Sequence, residues 1–271
     1  MDLGSPRTAN DSARTPAPRL NSDAPWDAFD PRAYVDHNYG RLRSDDAKIL
    51  EVVRKHFADH FRDVPDAAGA GLRGIDVGPG ANLYPAMSVL PWCRTVTLYE
   101  HSAANVAYLR GQQESYDAHW DQFWDALCEQ EVYSRRVADP RAAFARAARV
   151  EQGNLFDLGE RAERWQIGTM FFVAESLSTS EAEFRLAVER FMRVLEPGAP
   201  FAAAFMEGSL GYRVGDTFFP ACSVGEVDVR KSLSPFAEGE DVAITPIGMP
   251  GGALREGYEG MIVACGRRGP A

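Results

Sequence analysis

The chain has 271 residues, 45% of them hydrophobic and 25% charged, with a formal net charge of −10. These values suit a globular α/β protein with a sizeable core, and the acidity argues against a nucleic-acid partner, whose phosphates are met by clustered Lys and Arg. The four cysteines (Cys93, Cys128, Cys222, Cys265) form no C-x-x-C pair and no apolar run is long enough for a bilayer, so the expectation is a cytoplasmic protein with reduced thiols, no structural metal and no membrane contact.

In chain order, residues 1–24 hold almost no large apolar side chains and read as a disordered tail. Residues 25–71 form an N-terminal segment that opens with Trp26, Phe29, Tyr34 and Tyr39. Ser44 or Asp45 then caps a helix whose stripe is Ile49, Val52, Val53, His56, Phe57 and Phe61, with a stop at Pro65. Residues 72–267 alternate strands and helices. Leu72–Val77 is a strand closed by Gly78-Pro79-Gly80, and residues 83–90 are helical. Val96–Tyr99 is a second strand ending at Glu100, and residues 103–150 are helical, with an aromatic cluster at Tyr116, Trp120, Phe123 and Trp124. Further strands begin at Val150 and cover Met170–Ala174 and Phe201–Phe205. A helix over 181–195 buries Phe184, Ala187, Val188, Phe191, Met192 and Leu195. Val242–Ile247 and Met261–Ala264 complete the set. The alternation predicts one Rossmann-like α/β domain, a mostly parallel seven-stranded sheet with helices on both faces.

Chemistry concentrates at the first two strands. A strand running into Gly78-Pro79-Gly80 brings backbone close to a ligand, because a Cβ there would collide. Glu100 lies at the end of the next strand, 20 residues on, where a nucleoside site needs an acceptor for two ribose hydroxyls. Position 83 is Leu, so the third glycine of G-x-G-x-x-G is missing, and no G-x-x-x-x-G-K-[ST] occurs. The turn therefore suits a ligand without phosphates, and favours S-adenosylmethionine over NAD or ATP.

At this point the sequence resembles the nicotinamide, phenylethanolamine and indolethylamine N-methyltransferases, from about Trp26 to Arg267. Phe29-Asp30-Pro31-Arg32-Ala33-Tyr34 with Tyr39 is similar to that family's cover segment, and Tyr99-Glu100-His101-Ser102-Ala103-Ala104-Asn105 to its second-strand stretch. Leu195-Glu196-Pro197-Gly198 is similar to its Pro-Gly turn, and Glu207-Gly208-Ser209 with Tyr212-Arg213-Val214-Gly215 to its substrate loop. The resemblance implies an N-terminal helical lid and a methyltransferase core. It implies that Tyr34 and Tyr39 close over S-adenosyl-L-methionine, that Gly78, Pro79, Gly80 and Tyr84 line its methionine part, and that Glu100 takes the ribose hydroxyls. Asn105, Asn154 and Leu155 would lie near the adenosine; Asn154 stands where the family usually has Asp.

For the acceptor, the resemblance implies carboxylates at Glu175 and Glu207, beside Phe172, Ala174 and Tyr212, with Tyr34 touching both ligands. Phe218 and Phe219 would add aromatic walls. Glu207 or Glu175 would orient an amine and take its proton. The function expected is methyl transfer from S-adenosylmethionine to a small amine or heteroaromatic acceptor, in secondary metabolism, by a monomer. Alternatives are methylation of an indole carbon, a non-catalytic S-adenosylmethionine-binding module, and a nucleotide-dependent oxidoreductase. His56 and His60 lack the intervening Glu of a zinc helix, His101 reads as a surface residue, and Cys222 has no histidine partner in sequence.

Overall fold

The structure is a computed structural model that describes residues 19–63, 71–248 and 258–270. The expected tail up to residue 18 and the helix stop at Pro65 lie outside the described residues. The nine strands among them are β1 (Leu72–Val77), β2 (Cys93–Glu100), β3 (Ala148–Gln152), β4 (Ile167–Phe171), β5 (Pro200–Glu207), β6 (Gly211–Val214), β7 (Thr217–Pro220), β8 (Ala237–Ile247) and β9 (Gly260–Arg268).

Seven of these make one sheet in the order β3-β2-β1-β4-β5-β9-β8. The first five are mutually parallel, and β9 runs antiparallel between β5 and β8. A parallel sheet must be covered on both sides, and β5 shows how its residues divide. Ala202, Ala204 and Met206 pack with one core cluster, whereas Phe201, Ala203 and Phe205 pack with the other, the two-residue alternation of an extended chain.

The first cluster is closed by α2 (Ser44–His60), α3 (Tyr84–Val89) and α5 (Asp121–Cys128). Ile49, Val53, Phe57 and Phe61 are buried as the periodicity predicted, and Val52 packs at the edge. The second is closed by α8 (Glu181–Arg193), whose Phe184, Ala187, Val188, Phe191 and Met192 are all buried, and by α9 (Glu226–Leu233). In the numbering used here, α1 is Pro31–Asn38, α4 Ala103–Glu114, α6 Glu131–Arg136 and α7 Pro140–Ala147.

Three features depart from the sequence reading. Residues 19–24 do not continue a disordered tail. Asn21–Asp23 form a 3-10 turn, Arg19 exchanges backbone and side-chain bonds with Thr179, and the Asn21 N–H donates to Glu183 at 2.9 Å. Polar anchoring orders a stretch whose one large apolar side chain, Leu20, is exposed. Strand β4 stops at Phe171, because Phe172 takes φ +60°; it is the one non-glycine residue with positive φ among the described residues. Its N–H still donates to the Ala204 carbonyl at 2.7 Å, so the chain leaves the sheet there and Ala174–Ser176 form a 3-10 turn. The hairpin β6–β7 and helix α9 were not foreseen, since four-residue strands are too short to show a period.

Candidate cofactor and acceptor site

The carboxyl ends of β1, β2 and β4 open into a cleft with about 780 Å³ of empty space, part of it open to solvent. Its floor is the turn after β1. Gly78 and Gly80 have φ +64° and +59°, a region L side chains occupy at a cost. A Cβ on Gly78 would also lie 2.7 Å from the Val173 side chain, whereas one on Gly80 would meet only Asn105 at 3.8 Å. Gly78 is thus fixed by packing and backbone together, Gly80 by backbone alone. The Gly78 N–H donates to the Tyr99 carbonyl at 2.8 Å, which locks the turn to β2.

Glu100 is buried at the end of β2. One carboxylate oxygen accepts the Gly80 N–H at 2.9 Å, the other the Ser102 N–H at 2.7 Å. Among the described residues it has no cation partner. Burial pushes its carboxyl above the ordinary range, and the two N–H donors and Asn105 pull it back. A carboxylate offers about four lone-pair positions, so two remain for a ligand's vicinal hydroxyls. The Asn105 Oδ1 is buried with no hydrogen-bond partner, a further polar atom awaiting a ligand. These groups fit an adenosyl ligand.

The wall beyond Glu100 carries Gly153, Asn154, Leu155 and Phe156. Asn154 Oδ1 accepts the Phe156 N–H at 3.0 Å, so its amide caps a 3-10 turn (Leu155–Glu160); one oxygen lone pair and the NH₂ are left for an adenine edge.

The roof is the N-terminal segment. Asp30 caps α1 by accepting the N–H groups of Arg32 and Ala33. Trp26 stacks on Phe219 of the hairpin with centroids 5.3 Å apart, and Phe29 meets Phe219 at 5.4 Å and Tyr34 at 5.1 Å. The Ser102 hydroxyl donates to the Trp26 carbonyl at 3.0 Å. Tyr34, Tyr39 and Tyr212 complete the roof over the cleft.

Of the residues singled out in sequence, Tyr34, Tyr39, Gly78, Pro79, Gly80, Glu100, Asn105, Asn154, Leu155, Phe172 and Tyr212 meet around this one cleft. Four take other places. Tyr84 is fully buried behind the wall, stacked on Phe123 at 5.4 Å with its hydroxyl on Asp46. Ala174 is buried in the core that α8 covers. Glu175 is fully buried; its carboxylate accepts the Met206 N–H at 3.0 Å and the Ser176 hydroxyl at 3.3 Å, knitting the β4 exit to β5. Glu207 lies off the cleft wall, toward Gly225 and Gly260, where burial followed by Glu259 and Glu226 raises its carboxyl. After the turn at Phe172, Val173, Ser176 and Leu177 still line the cleft while Ala174 and Glu175 are buried off it, and β5 alternation sends Glu207 to the opposite face from Met206. Phe219 is core to the hairpin and Phe218 is exposed.

Sequence reasoning missed Asn21, Phe156, Val173 and Leu177, which also line the cleft. Phe156 follows the flagged Asn154-Leu155 pair and was within reach; Asn21 was hidden by the polar composition around it. It missed Asp46 as well. This residue faces a second, smaller pocket with about 300 Å³ of empty space, part of it open to solvent, which shares Tyr34, Tyr39 and Phe172 with the first.

No helix among the described residues is long and apolar enough to cross a membrane, and no group of three or more His, Cys, Asp or Glu among them is arranged to hold a metal.

Comparison with known proteins agrees with this architecture. Among solved structures, magnesium protoporphyrin IX methyltransferase from Synechocystis PCC 6803, with bound SAM, is 12% identical; the match covers 89% of this chain and 92% of that one, with TM-score 0.51. A SAM-dependent methyltransferase from Methanosarcina mazei is 11% identical over 85% of this chain and 100% of its own, with TM-score 0.53. At these identities the likeness is one of fold. No curated protein matches closely enough to count as a relative. The model of the NNMT/PNMT/TEMT family matches residues 19–247, most of the chain, so this protein belongs to that family of S-adenosylmethionine-dependent methyltransferases.

Proposed function

We propose that the protein transfers a methyl group from S-adenosylmethionine to a nitrogen of a small amine or heteroaromatic acceptor, acting as a monomer. The observation that carries this reading is Glu100, buried beside the glycine turn with its oxygens 2.9 Å from the Gly80 nitrogen and 2.7 Å from that of Ser102, at the edge of a roofed cleft.

When bound, S-adenosylmethionine supplies a methyl group on a sulfonium, a leaving group good enough that no enzyme nucleophile is needed. The chain's own task is then positioning. Glu100 and Asn105 hold the nucleoside end, Asn154 and Leu155 border the base, and the Gly78–Gly80 turn lets backbone approach the amino-acid end. Holding an acceptor in line with the methyl group supplies effective molarity worth about 7–11 kcal/mol. The aromatic roof from Trp26 to Tyr39 excludes water from the reacting atoms.

The test is direct. Titration with S-adenosylhomocysteine should show one site, and Glu100→Ala should weaken it on the order of 10–100-fold, the loss of hydrogen bonds to a charged acceptor. Unchanged affinity in that variant removes Glu100 from the site. Methyl-labelled cofactor should then label a member of a panel of arylalkylamines, indoles and pyridines; no transfer to any of them by protein that binds the cofactor leaves the non-catalytic alternative.

A further inference from the structure

Asn21 lines the cofactor cleft although no motif in the sequence points to it. It belongs to a polar strap, residues 19–26, that is tied down on two sides of that cleft. On one side the Arg19 N–H donates to the Thr179 hydroxyl at 2.9 Å and the Thr179 N–H to the Arg19 carbonyl at 3.0 Å. The Asn21 N–H adds a third tie there, to the Glu183 carboxylate at 2.9 Å. On the other side the Ser102 hydroxyl donates to the Trp26 carbonyl at 3.0 Å. Asn21 lies between these ties and is only 7% exposed.

The orientation of its amide follows from donor chemistry. The Trp26 Nε1 lies 3.0 Å from the Asn21 Oδ1, and an indole N–H can only donate. An amide turned the other way would set two donors against each other, so the oxygen faces the indole and the NH₂ faces away. That NH₂ has no hydrogen-bond partner among the described residues. A donor on a nine-tenths-buried side chain is costly to leave unmet, and the open space beside this one is the cleft.

From these relations we propose that Asn21 binds S-adenosylmethionine, its NH₂ donating to a ring nitrogen of the adenine. This rests on the cofactor reading above and is independent of which acceptor is methylated. The ties place Asn21 over the nucleoside end. Ser102 stands two residues after Glu100, and Thr179 two residues after Leu177 of the cleft wall. At that end the ribose hydroxyls fall to Glu100, and what remains unmet on the nucleoside is chiefly the adenine ring nitrogens. These carry lone pairs and no proton, so they require donors, and an amide NH₂ is one. A bound cofactor then adds a further tie to the strap and holds it closed.

The experiment measures binding of S-adenosylhomocysteine to the full chain, and of analogues in which one adenine ring nitrogen at a time is replaced by CH. N21A is a clean variant, because the Trp26 Nε1 also donates to the Asn21 backbone carbonyl at 3.1 Å and so keeps a partner. Expected is a loss in N21A of roughly fivefold to tenfold in affinity, one neutral hydrogen bond. The parent should lose a similar factor for one of the analogues, whereas N21A should bind that analogue and S-adenosylhomocysteine alike within about twofold. Affinity in N21A within about twofold of the parent overturns the proposal. So does an N21A protein that discriminates among all the analogues as the parent does. A parent protein that binds no S-adenosylhomocysteine defeats the cofactor reading itself.

Should N21A loosen the strap, N21D keeps an acceptor oxygen for the indole and removes only the NH₂. The same loss of discrimination is expected, and parent-like discrimination overturns the assignment. Amide hydrogen exchange gives an independent readout. S-adenosylhomocysteine at saturation should slow exchange over residues 20–26 in the parent and much less in N21A, and equal slowing in both proteins counts against a contact through Asn21.

Discussion

Tyr84 donates its hydroxyl to Asp46 across 3.1 Å, with both side chains buried. The contact joins the first turn of α2 to the first turn of α3, and α3 follows directly from the glycine turn. Tyr84, expected to touch the cofactor, instead braces the carboxylate on the other side of Tyr39, whose ring it meets edge-on at 5.9 Å. A chain of tyrosines thus links the two cavities, and the following predictions test the parts around it.

Gly78→Ala should be among the most damaging single changes at the site. The added methyl takes φ +64° and falls 2.7 Å from Val173, costing about 1–2 kcal/mol for the backbone and about 1–3 kcal/mol for overpacking. Chemical denaturation should show the loss, and Val173→Ala in the same chain should recover the packing part only. Full recovery means the backbone contributes nothing.

Asp76 gives a pH dependence with a defined sign. It is fully buried in β1, accepts the Thr169 hydroxyl at 2.8 Å, and burial pushes its carboxyl from 3.8 up to about 8. Between those values the folded state holds more protons than the unfolded one, so this group makes stability fall as pH rises through that window. Asp76→Asn removes the slope. Its unfolding free energy minus that of the parent should therefore increase from pH 5 to about pH 8, the variant gaining stability relative to the parent, and then level off; a constant difference across the range contradicts the assignment.

The roof is held chiefly by ring contacts of Trp26, Phe29 and Phe219. Trp26→Ala removes a stacked pair worth about 0.5–1.5 kcal/mol beyond its buried area. Amide hydrogen exchange over residues 26–39 should accelerate roughly tenfold, with strands β1, β4 and β5 unchanged. Equal acceleration throughout the sheet points to global destabilisation instead of lid opening.

Glu175 separates a structural from a direct chemical role. Glu175→Ala leaves the buried Met206 N–H without its acceptor and should cost about 1–3 kcal/mol in unfolding free energy. Glu175→Gln keeps an acceptor oxygen and should retain most stability and most turnover. Turnover lost in the Gln variant at undiminished stability returns Glu175 to the acceptor site.

Read alone, the amino-acid sequence settled what depends on neighbours along the chain. Strand β1 into Gly78-Pro79-Gly80, Glu100 at the end of β2, and the apolar stripes of α2 and α8 are all local patterns, because side-chain period and backbone freedom are properties of short segments. Those patterns were enough to indicate the sheet and the side of the cleft formed by the glycine turn and Glu100. Where the carboxylates beyond the roof and after β4 and β5 end up was decided by tertiary structure. The left-handed turn at Phe172 swings Glu175 inward, the pleat of β5 carries Glu207 away, and packing of α2 beside α3 brings Asp46 to a cavity wall 38 residues before Tyr84 in the chain. Side-chain direction after a turn, and contact across such separations, are fixed only when elements pack, so no spacing in the sequence announced them.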